Sequence, residues 1–315
     1  MSHKNPIVGI CRYALVVVAA LMVPLAVASP AVATPKGEFA VFAECPLSNA
    51  TVEGCEVART ESGEITIGKK TVPIEKTMTL QGGLGREAPC EPPFTQPGEC
   101  RQPFFEAAKG NTLTKVAQNV PGGLLGLVNC KTIENKGLRE ACELFFEYGI
   151  TQVTATTELA APAEPASLSP VETSPAALFD PVLSEVFGIP ALKLPVKVKL
   201  DNPLFGNKCF IGSATEPIVL NLITGKTNPP APNKPITGKI GEESSKAEGG
   251  IFVLSQNTLV DNSFSVPRVN GCGFFGLLDP IVDASLGVPS AAGKNTAILN
   301  NTIELAAASV VKASE

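Results

Sequence analysis

The chain has 315 residues, of which 44% are hydrophobic and 17% are charged, and its net charge at pH 7 is −5. This apolar content is enough for a folded core and excludes an intrinsically disordered chain. A mildly acidic chain without a basic run is a poor partner for nucleic acid or for an anionic lipid surface, so we expect neither.

The N-terminus has the three parts of a secretory signal. Lys4 and Arg12 make a basic start, residues 14–27 are almost entirely apolar, and residues 31–33 read Ala-Val-Ala, a small-residue cleavage site. We therefore predict a signal peptide over residues 1–33 and a secreted protein, either extracellular or loosely associated with the envelope. Cleavage removes two cations and no acidic residue, which changes the net charge from −5 to −7. No second long apolar run follows, so no membrane span is expected after cleavage.

An internal repeat organises the rest of the chain. The triplet Asn-Thr-Leu at 111–113 recurs at 257–259, and the pair Val-Pro at 120–121 recurs at 266–267, both 146 residues later. At the same spacing, Thr156, Glu158, Leu159 and Ala160 recur as Thr302, Glu304, Leu305 and Ala306. We predict two related β-sandwich-like halves from an internal duplication, over 34–165 and 166–315, with a Pro-, Ala- and Ser-rich linker at about 160–174.

Most predicted elements are strands. Residues 192–200 alternate apolar side chains with lysines, which indicates a half-buried strand, and Pro195 within it suggests the edge of a sheet. The other predicted strands are at 57–74, 149–160, 218–224, 251–259 and 297–306. The predicted fold class is therefore mostly β with a few short helices.

Two near-identical segments, 178–190 and 277–289, carry helix start and stop signals. Each has Asp-Pro near its start, at Asp180 and Asp279, and later a Gly followed by a Pro. An aspartate can accept hydrogen bonds from the first free N–H groups of a helix, and proline suits its first position. We predict that Asp180 and Asp279 are helix caps, and that residues 139–147 form a third helix.

The chain after residue 33 has an even number of cysteines, which in an exported chain predicts disulfides. No Cys-x-x-Cys and no histidine are present there, which argues against a zinc site. The disulfide candidates are Cys45, Cys55, Cys90, Cys100, Cys130, Cys142, Cys209 and Cys272.

Two pairing schemes are open, and both contain Cys90–Cys100 and Cys209–Cys272. The internal repeat matches Cys209 with Cys55, and this favours a scheme that adds Cys55–Cys130 and Cys45–Cys142. Proximity along the chain favours a local scheme that adds Cys45–Cys55 and Cys130–Cys142. Spacing alone does not decide between them.

The missing histidine removes the usual catalytic constellations. Ser-His-Asp and Cys-His catalysis and the His-Glu-x-x-His metalloproteases all need one. The adjacent Glu242 and Glu243 lie in a stretch typical of a solvated loop, and Asp201-Asn202 and Asp261-Asn262 are better explained by turns than by a calcium site. We therefore predict no catalytic, cofactor-binding or metal-ligating residues, and no cofactor.

Four segments carry a resemblance to known sequences: residues 42–46, 71–74, 154–159 and 209–213. With them the mature chain resembles an uncharacterised family of secreted proteins from high-GC Gram-positive bacteria. The resemblance implies export and this organisation, and it implies no activity.

The function expected from the sequence is that of an exported, non-catalytic structural or binding protein whose partner is a cell-envelope component. The alternative is an extracellular carrier of a hydrophobic small molecule or lipid, suggested by the Gly- and Leu-rich residues 122–128. A carboxylate-based hydrolase is the third hypothesis. Phe274 and Phe275, next to a glycine-containing loop, are either a contact surface or the start of the apolar run into the following helix.

Overall fold

The computed structural model describes residues 34–93, 99–123, 130–132, 134–147, 152–161, 164 and 166–315. The predicted signal peptide and most of the Gly- and Leu-rich stretch at 122–128 lie outside these ranges. Within them the protein is mostly β, as predicted. The strands are β1 Gly54–Ile67, β2 Lys70–Pro73, β3 Met78–Leu84, β4 Gln102–Phe105, β5 Ala117–Asn119, β6 Thr154–Leu159, β7 Leu168–Thr173, β8 Leu192–Asp201, β9 Phe210–Ile211, β10 Ile218–Leu222, β11 Glu242–Lys246, β12 Ile251–Asp261, β13 Val269–Asn270 and β14 Thr296–Ala307.

The helices of the described residues are short. The α-helices are α1 Lys136–Glu147, α2 Pro175–Phe179, α3 Pro181–Phe187, α4 Asp279–Leu286 and α5 Ala308–Ala313. Brief 3₁₀ helices are found at Gly37–Phe42, Cys130–Thr132, Ala247–Gly249 and Phe274–Gly276. No helix in the described part of the chain is both long enough and apolar enough to cross a membrane.

The described strands belong to one antiparallel sheet that bends round into a ring. β1 hydrogen-bonds to β14 and β3, β14 continues to β12, and β8 hydrogen-bonds to β6 and β10. β3 continues through β4 and β7 to β8, and a single bridge, Ile223–Val260, joins the end of β10 to β12 and completes the circuit. The inward side chains of these strands therefore share one interior.

Strands from the two predicted halves of the sequence pair with each other in this ring. β14, the last strand of the chain, is antiparallel to β1 from the Gly54–Ala307 pair to the Thr66–Thr296 pair. In the same way β6, which ends the first predicted half, is antiparallel to β8, which is early in the second. The two halves are therefore hydrogen-bonded to each other through their strands.

Two layers of apolar side chains lie on opposite faces of β1. Its alternate residues contribute Ala58 to the large cluster inside the ring and Val57 to a second cluster outside it. The outer cluster is covered by Phe42 of the first 3₁₀ helix and Val311 of α5, both fully buried. β1 is therefore buried on both faces at this end, where an ordinary surface strand would have one face in water.

Two expectations for the region around β8 need correction. β8 forms over nearly the predicted residues, but it pairs on both sides, and Pro195 is buried opposite Val219 of β10 and not at a sheet edge. The predicted linker is also not irregular throughout, because Leu168–Thr173 forms β7 between β4 and β8. The small residues Ser169 and Thr173 allow β7 to be buried there despite its polar composition.

Three disulfides are present among the described residues: Cys45–Cys55, Cys90–Cys100 and Cys209–Cys272. The first of these excludes the pairing scheme derived from the repeat, since Cys55 cannot also bind Cys130. Cys45 and Cys55 are close because a turn brings residues 43–49 against the start of β1. Cys130 is also disulfide-bonded, and the side chain of Cys142 lies outside the described residues.

A buried carboxylate ties β1, β11 and β14 together on the outer face of the ring. Glu304 accepts hydrogen bonds from Arg59 and from Lys246, the latter at 2.7 Å, and only 4% of its side chain is exposed. Burial raises the pKa of Glu304, but the hydrogen bonds and charges of Lys246 and Arg59 together outweigh it, so the pKa is lower than usual. The ionised form of Glu304 is therefore the form that the fold favours.

Glu158 occupies the position in β6 that the sequence repeat matches with Glu304. Its carboxylate oxygens lie 3.8 Å from Lys115 Nζ and 3.7 Å from Lys197 Nζ. These separations are too long for hydrogen bonds. The two glutamates therefore share an arrangement between two cations, and only Glu304 is bonded tightly.

We predict that Glu304→Gln lowers the free energy of unfolding at neutral pH by about 1 to 3 kcal/mol, because two charge-assisted hydrogen bonds are lost. The matched variant Glu158→Gln should cost less than about 1 kcal/mol. Because the pKa of Glu304 is lowered by folding, its contribution is present above the ordinary pKa and disappears as the pH falls through the folded value. Urea denaturation of both variants at several pH values measures these free energies. Equal losses of stability in the two variants would contradict the conclusion that Glu304 is bonded more tightly than Glu158.

Candidate functional site

The candidate site is the interior of the ring. A cavity of about 70 Å³ lies there, and inward residues of eight strands line it. Most of the lining is aliphatic, with leucines from opposite sides of the ring facing one another. These leucines include Leu80 of β3, Leu194 of β8, Leu220 of β10, Leu259 of β12 and Leu299 of β14.

A second cavity of about 50 Å³ adjoins the first. Ile65, Met78 and Thr157 line both of them. A methionine side chain has three rotatable bonds and adapts readily to the shape of its surroundings. Movement of Met78 would therefore join the two spaces, which gives the interior some freedom in the size of molecule it can hold.

Among the described residues that line the larger cavity, Glu56 of β1 is the one titratable residue. It shares the inward face of β1 with Ala58 and Thr60, and 8% of its surface is exposed. No hydrogen bond or ion pair joins its carboxyl group to another described residue. Burial raises the pKa of Glu56 from 4.5 to about 7, so the carboxyl changes charge near neutral pH.

Most of the other polar side chains in this lining are hydrogen-bonded within the protein, whereas no side-chain hydrogen bond joins Thr157 to another described residue. Thr60 Oγ1 donates a hydrogen bond of 2.7 Å to Asn301 Oδ1, and Asn301 Nδ2 donates to the Leu299 carbonyl oxygen. Ser174 Oγ accepts a hydrogen bond from Ala177 N at the start of α2. An apolar cavity that one carboxyl faces is suited to binding a small molecule.

The two aspartates predicted as helix caps have different roles. Asp180 lies at the N-cap of α3 and its Oδ1 accepts from Val182 N at 3.0 Å, while Gly188 ends the helix with a φ of 68°. The prediction for Asp279 needs correction: it is the first residue of α4, and its side chain makes no cap hydrogen bond. Its carboxylate instead accepts from the backbone N–H groups of Cys272 at 2.7 Å and Gly271 at 3.2 Å. The tight loop at the disulfide turns these N–H groups toward Asp279.

The weaker candidates from the sequence lie away from the interior. Glu242 and Glu243 belong to the exposed strand β11 rather than to a loop. Asp261 accepts backbone hydrogen bonds from Asn221 and Ser263, and burial raises its pKa more than these two bonds lower it. Asp201 pairs with Lys199 at 2.6 Å. The described residues contain no cluster of three or more potential metal ligands.

Sequence reasoning missed Glu56. In residues 55–60 it is in phase with Ala58 and Thr60, and this polar pattern is typical of the solvent face of a strand. The alternate residues, Cys55 and Val57, are apolar, so the sequence suggests that only their face of the strand meets the core. A signal that the inward face is also buried was absent, because the strands across the cavity, such as β8, β10 and β14, are distant in sequence.

In comparisons with known proteins, no family model, no curated protein and no solved structure matches this chain.

Glu56→Gln should change how stability depends on pH. The pKa of Glu56 is higher in the folded than in the unfolded state, so the folded state binds more protons between the two values and its stability falls as the pH rises through them. From about pH 5 to about pH 8 we expect the native protein to lose about 2 to 3 kcal/mol relative to Glu56→Gln. Denaturation at both pH values measures this. Glu64→Gln, an exposed change on the same strand, should show the same pH dependence of the free energy of unfolding as the native protein. If the difference in this free energy between Glu56→Gln and the native protein were the same at both pH values, the prediction would be contradicted.

Proposed function

We propose that this protein is an exported, non-catalytic binding protein that holds a small hydrophobic molecule inside its ring of strands. The observation that carries the proposal is the apolar cavity into which a single unpaired carboxyl faces. Concave apolar sites with a few polar groups are the usual form of small-molecule sites. We therefore propose the interior of the ring as the binding site of the carrier function, a site that the sequence alone did not suggest.

Export is part of the proposal. It is supported by the signal-like residues 1–33 and by the disulfides, which are typical of oxidising compartments. The resemblance to secreted proteins from high-GC Gram-positive bacteria points the same way. In an extracellular setting a ligand enclosed by the ring would be shielded from water and from other solutes.

We further propose that the two halves arose by duplication. The support is that the matched strands β6 and β14 have equivalent neighbours: each pairs with an early strand of the other half. The glutamates Glu158 and Glu304 of these strands also each face two cations. A duplicated unit that exchanges its last strand would produce the ring as a natural consequence of closing two incomplete sheets on each other.

The cavity proposal is tested by filling the space. Ala58→Leu adds a branched side chain to the cavity wall, whereas Ala307→Leu makes the same change at an exposed position of β14. Protein purified from the producing organism, then denatured and extracted, should release a small compound with a hydrophobic part, detectable by mass spectrometry. Ala58→Leu should release at least about tenfold less and Ala307→Leu the native amount. No compound from the native protein, or equal amounts from both variants, would count against the proposal.

A second candidate function is attachment to the cell envelope, the partner expected from the sequence. It is favoured by Phe274, Phe275 and Leu277, whose side chains are 75%, 90% and 72% exposed. The φ of Phe275 is 52°, an uncommon backbone conformation for a phenylalanine. Large apolar side chains grouped in one exposed loop commonly mark contact surfaces.

Co-sedimentation with isolated envelopes tests this second candidate. We expect saturable binding by the native protein and a loss of at least about fivefold in affinity for the double variant Phe274→Ser, Phe275→Ser, because contact area is removed. Val186→Ser changes a similarly exposed apolar residue on α3 and should bind as the native protein does. Equal binding by all three proteins would remove the loop from consideration.

A further inference from the structure

We propose that the ligand of the interior is a small, compact primary amine whose ammonium group is bound by the Glu56 carboxylate. This inference rests on the proposed function, because it names the class of molecule that the cavity would take. It is argued from the surroundings of Glu56, the state of the other polar groups, and the size of the space.

The neighbours of Glu56 in the sheet provide no polar partner. Glu56 is directly opposite Leu305 of β14 and Gly82 of β3. Gly82 has no side chain, and a Cβ placed there would lie 2.5 Å from Cε1 of Phe104, a fully buried residue of β4. The carboxyl is therefore surrounded by apolar groups on its own strand and on both adjacent strands.

Most of the other polar side chains in the lining are already hydrogen-bonded within the protein. Thr60 and Asn301 bond to each other, and Ser174 accepts a bond from the backbone of α2. A buried acceptor without a donor is costly, and a ligand that supplies donors to it removes that cost. Glu56 is thus the point at which a ligand gains most from a polar contact.

Among ligand classes, an amine fits this point best. An ammonium group provides three donors and a charge opposite to that of the carboxylate, and such charge-assisted hydrogen bonds are roughly twice as strong as neutral ones. A hydroxyl provides one donor and no charge. An alkane leaves the carboxyl unpaired, and an acidic ligand would place two negative groups together in an apolar space.

The volume limits the apolar part of the ligand. The larger cavity is about 70 Å³, roughly half of the 150 Å³ of an engineered cavity that binds benzene. A short branched alkyl group fits this space, and displacement of Met78 would admit a somewhat larger one.

Three probes of nearly the same shape test the proposal: isobutylamine, isobutanol and 2-methylbutane, which differ only in the terminal group. Met78 is the only methionine after residue 33, so its methyl group gives a single NMR signal from the cavity wall of the mature protein. Titrations are followed by the chemical shift of this methyl. We expect isobutylamine to bind at least about tenfold more tightly than either of the other probes.

The variants separate recognition by Glu56 from general apolar binding. Glu56→Gln should weaken isobutylamine at least about tenfold and leave 2-methylbutane unchanged or tighter, while the exposed control Glu64→Gln should bind all three as the native protein does. Glu56→Met, an apolar change of similar length, provides the same test if the glutamine variant folds poorly.

The outcomes distinguish the two proposals. If 2-methylbutane binds as tightly as isobutylamine, or if Glu56→Gln and Glu56→Met bind the amine normally, the amine proposal is overturned and the binding function stands. If none of the probes shifts the Met78 signal in any of the proteins, the cavity does not bind small molecules and both proposals fail.

Discussion

The register between β1 and β14 is the constraint on which the interior depends. In this register Glu56 is opposite Leu305 and both face inward, while Val57 is opposite Glu304 and both face outward. Successive side chains of a strand alternate between its faces, so a slip of one residue in β1 would exchange the two sets. It would turn Glu56 out of the cavity and bring Arg59 into an apolar interior, at a large cost in desolvation.

The outer layer makes this register hard to change. Glu304 holds Arg59 of β1 and Lys246 of β11 on the outer face, and the apolar cluster around Phe42 and Val311 covers the strand pair nearby. The Cys45–Cys55 disulfide attaches the covering segment to the first residues of β1. Interactions outside the ring therefore determine which side chains face its interior, and Glu56 is one of them.

Local signals in the sequence predicted local structure well. The start and end of α3 follow directly from Asp180, Pro181 and Gly188, since each of these residues favours its backbone position through its own chemistry. The strand β8 was likewise predicted from its alternation. The almost identical signals around Asp279 led to a wrong prediction of a helix cap. The Asp279 carboxylate instead accepts a hydrogen bond from Cys272 N, in a loop held by the Cys209–Cys272 disulfide, which joins distant parts of the chain.

The candidate site could not be predicted for the same reason. The inward face of β1 is enclosed mainly by strands far away in the sequence, such as β8, β10 and β14, so the pattern Glu-x-Ala-x-Thr at 56–60 gave the opposite impression of its surroundings. The pairing of Cys45 with Cys55 also depended on a local turn rather than on the repeat. Periodicity identifies the strand, whereas which of its faces meets water is a property of the tertiary structure.

The position of Glu56 is difficult to explain as a contribution to stability. A carboxyl whose pKa rises to about 7 on folding is destabilised by its surroundings at neutral pH, and an apolar or amide side chain of the same size would avoid this cost. One structural carboxylate in the same protein behaves in the opposite way: Glu304 has two cationic partners and a lowered pKa. Sites that bind ligands are where folded proteins keep polar groups that the fold alone does not satisfy. Because the unsatisfied carboxyl and the cavity occur at the same place, a ligand that brings hydrogen-bond donors explains both features, whereas imperfect packing would explain only the cavity.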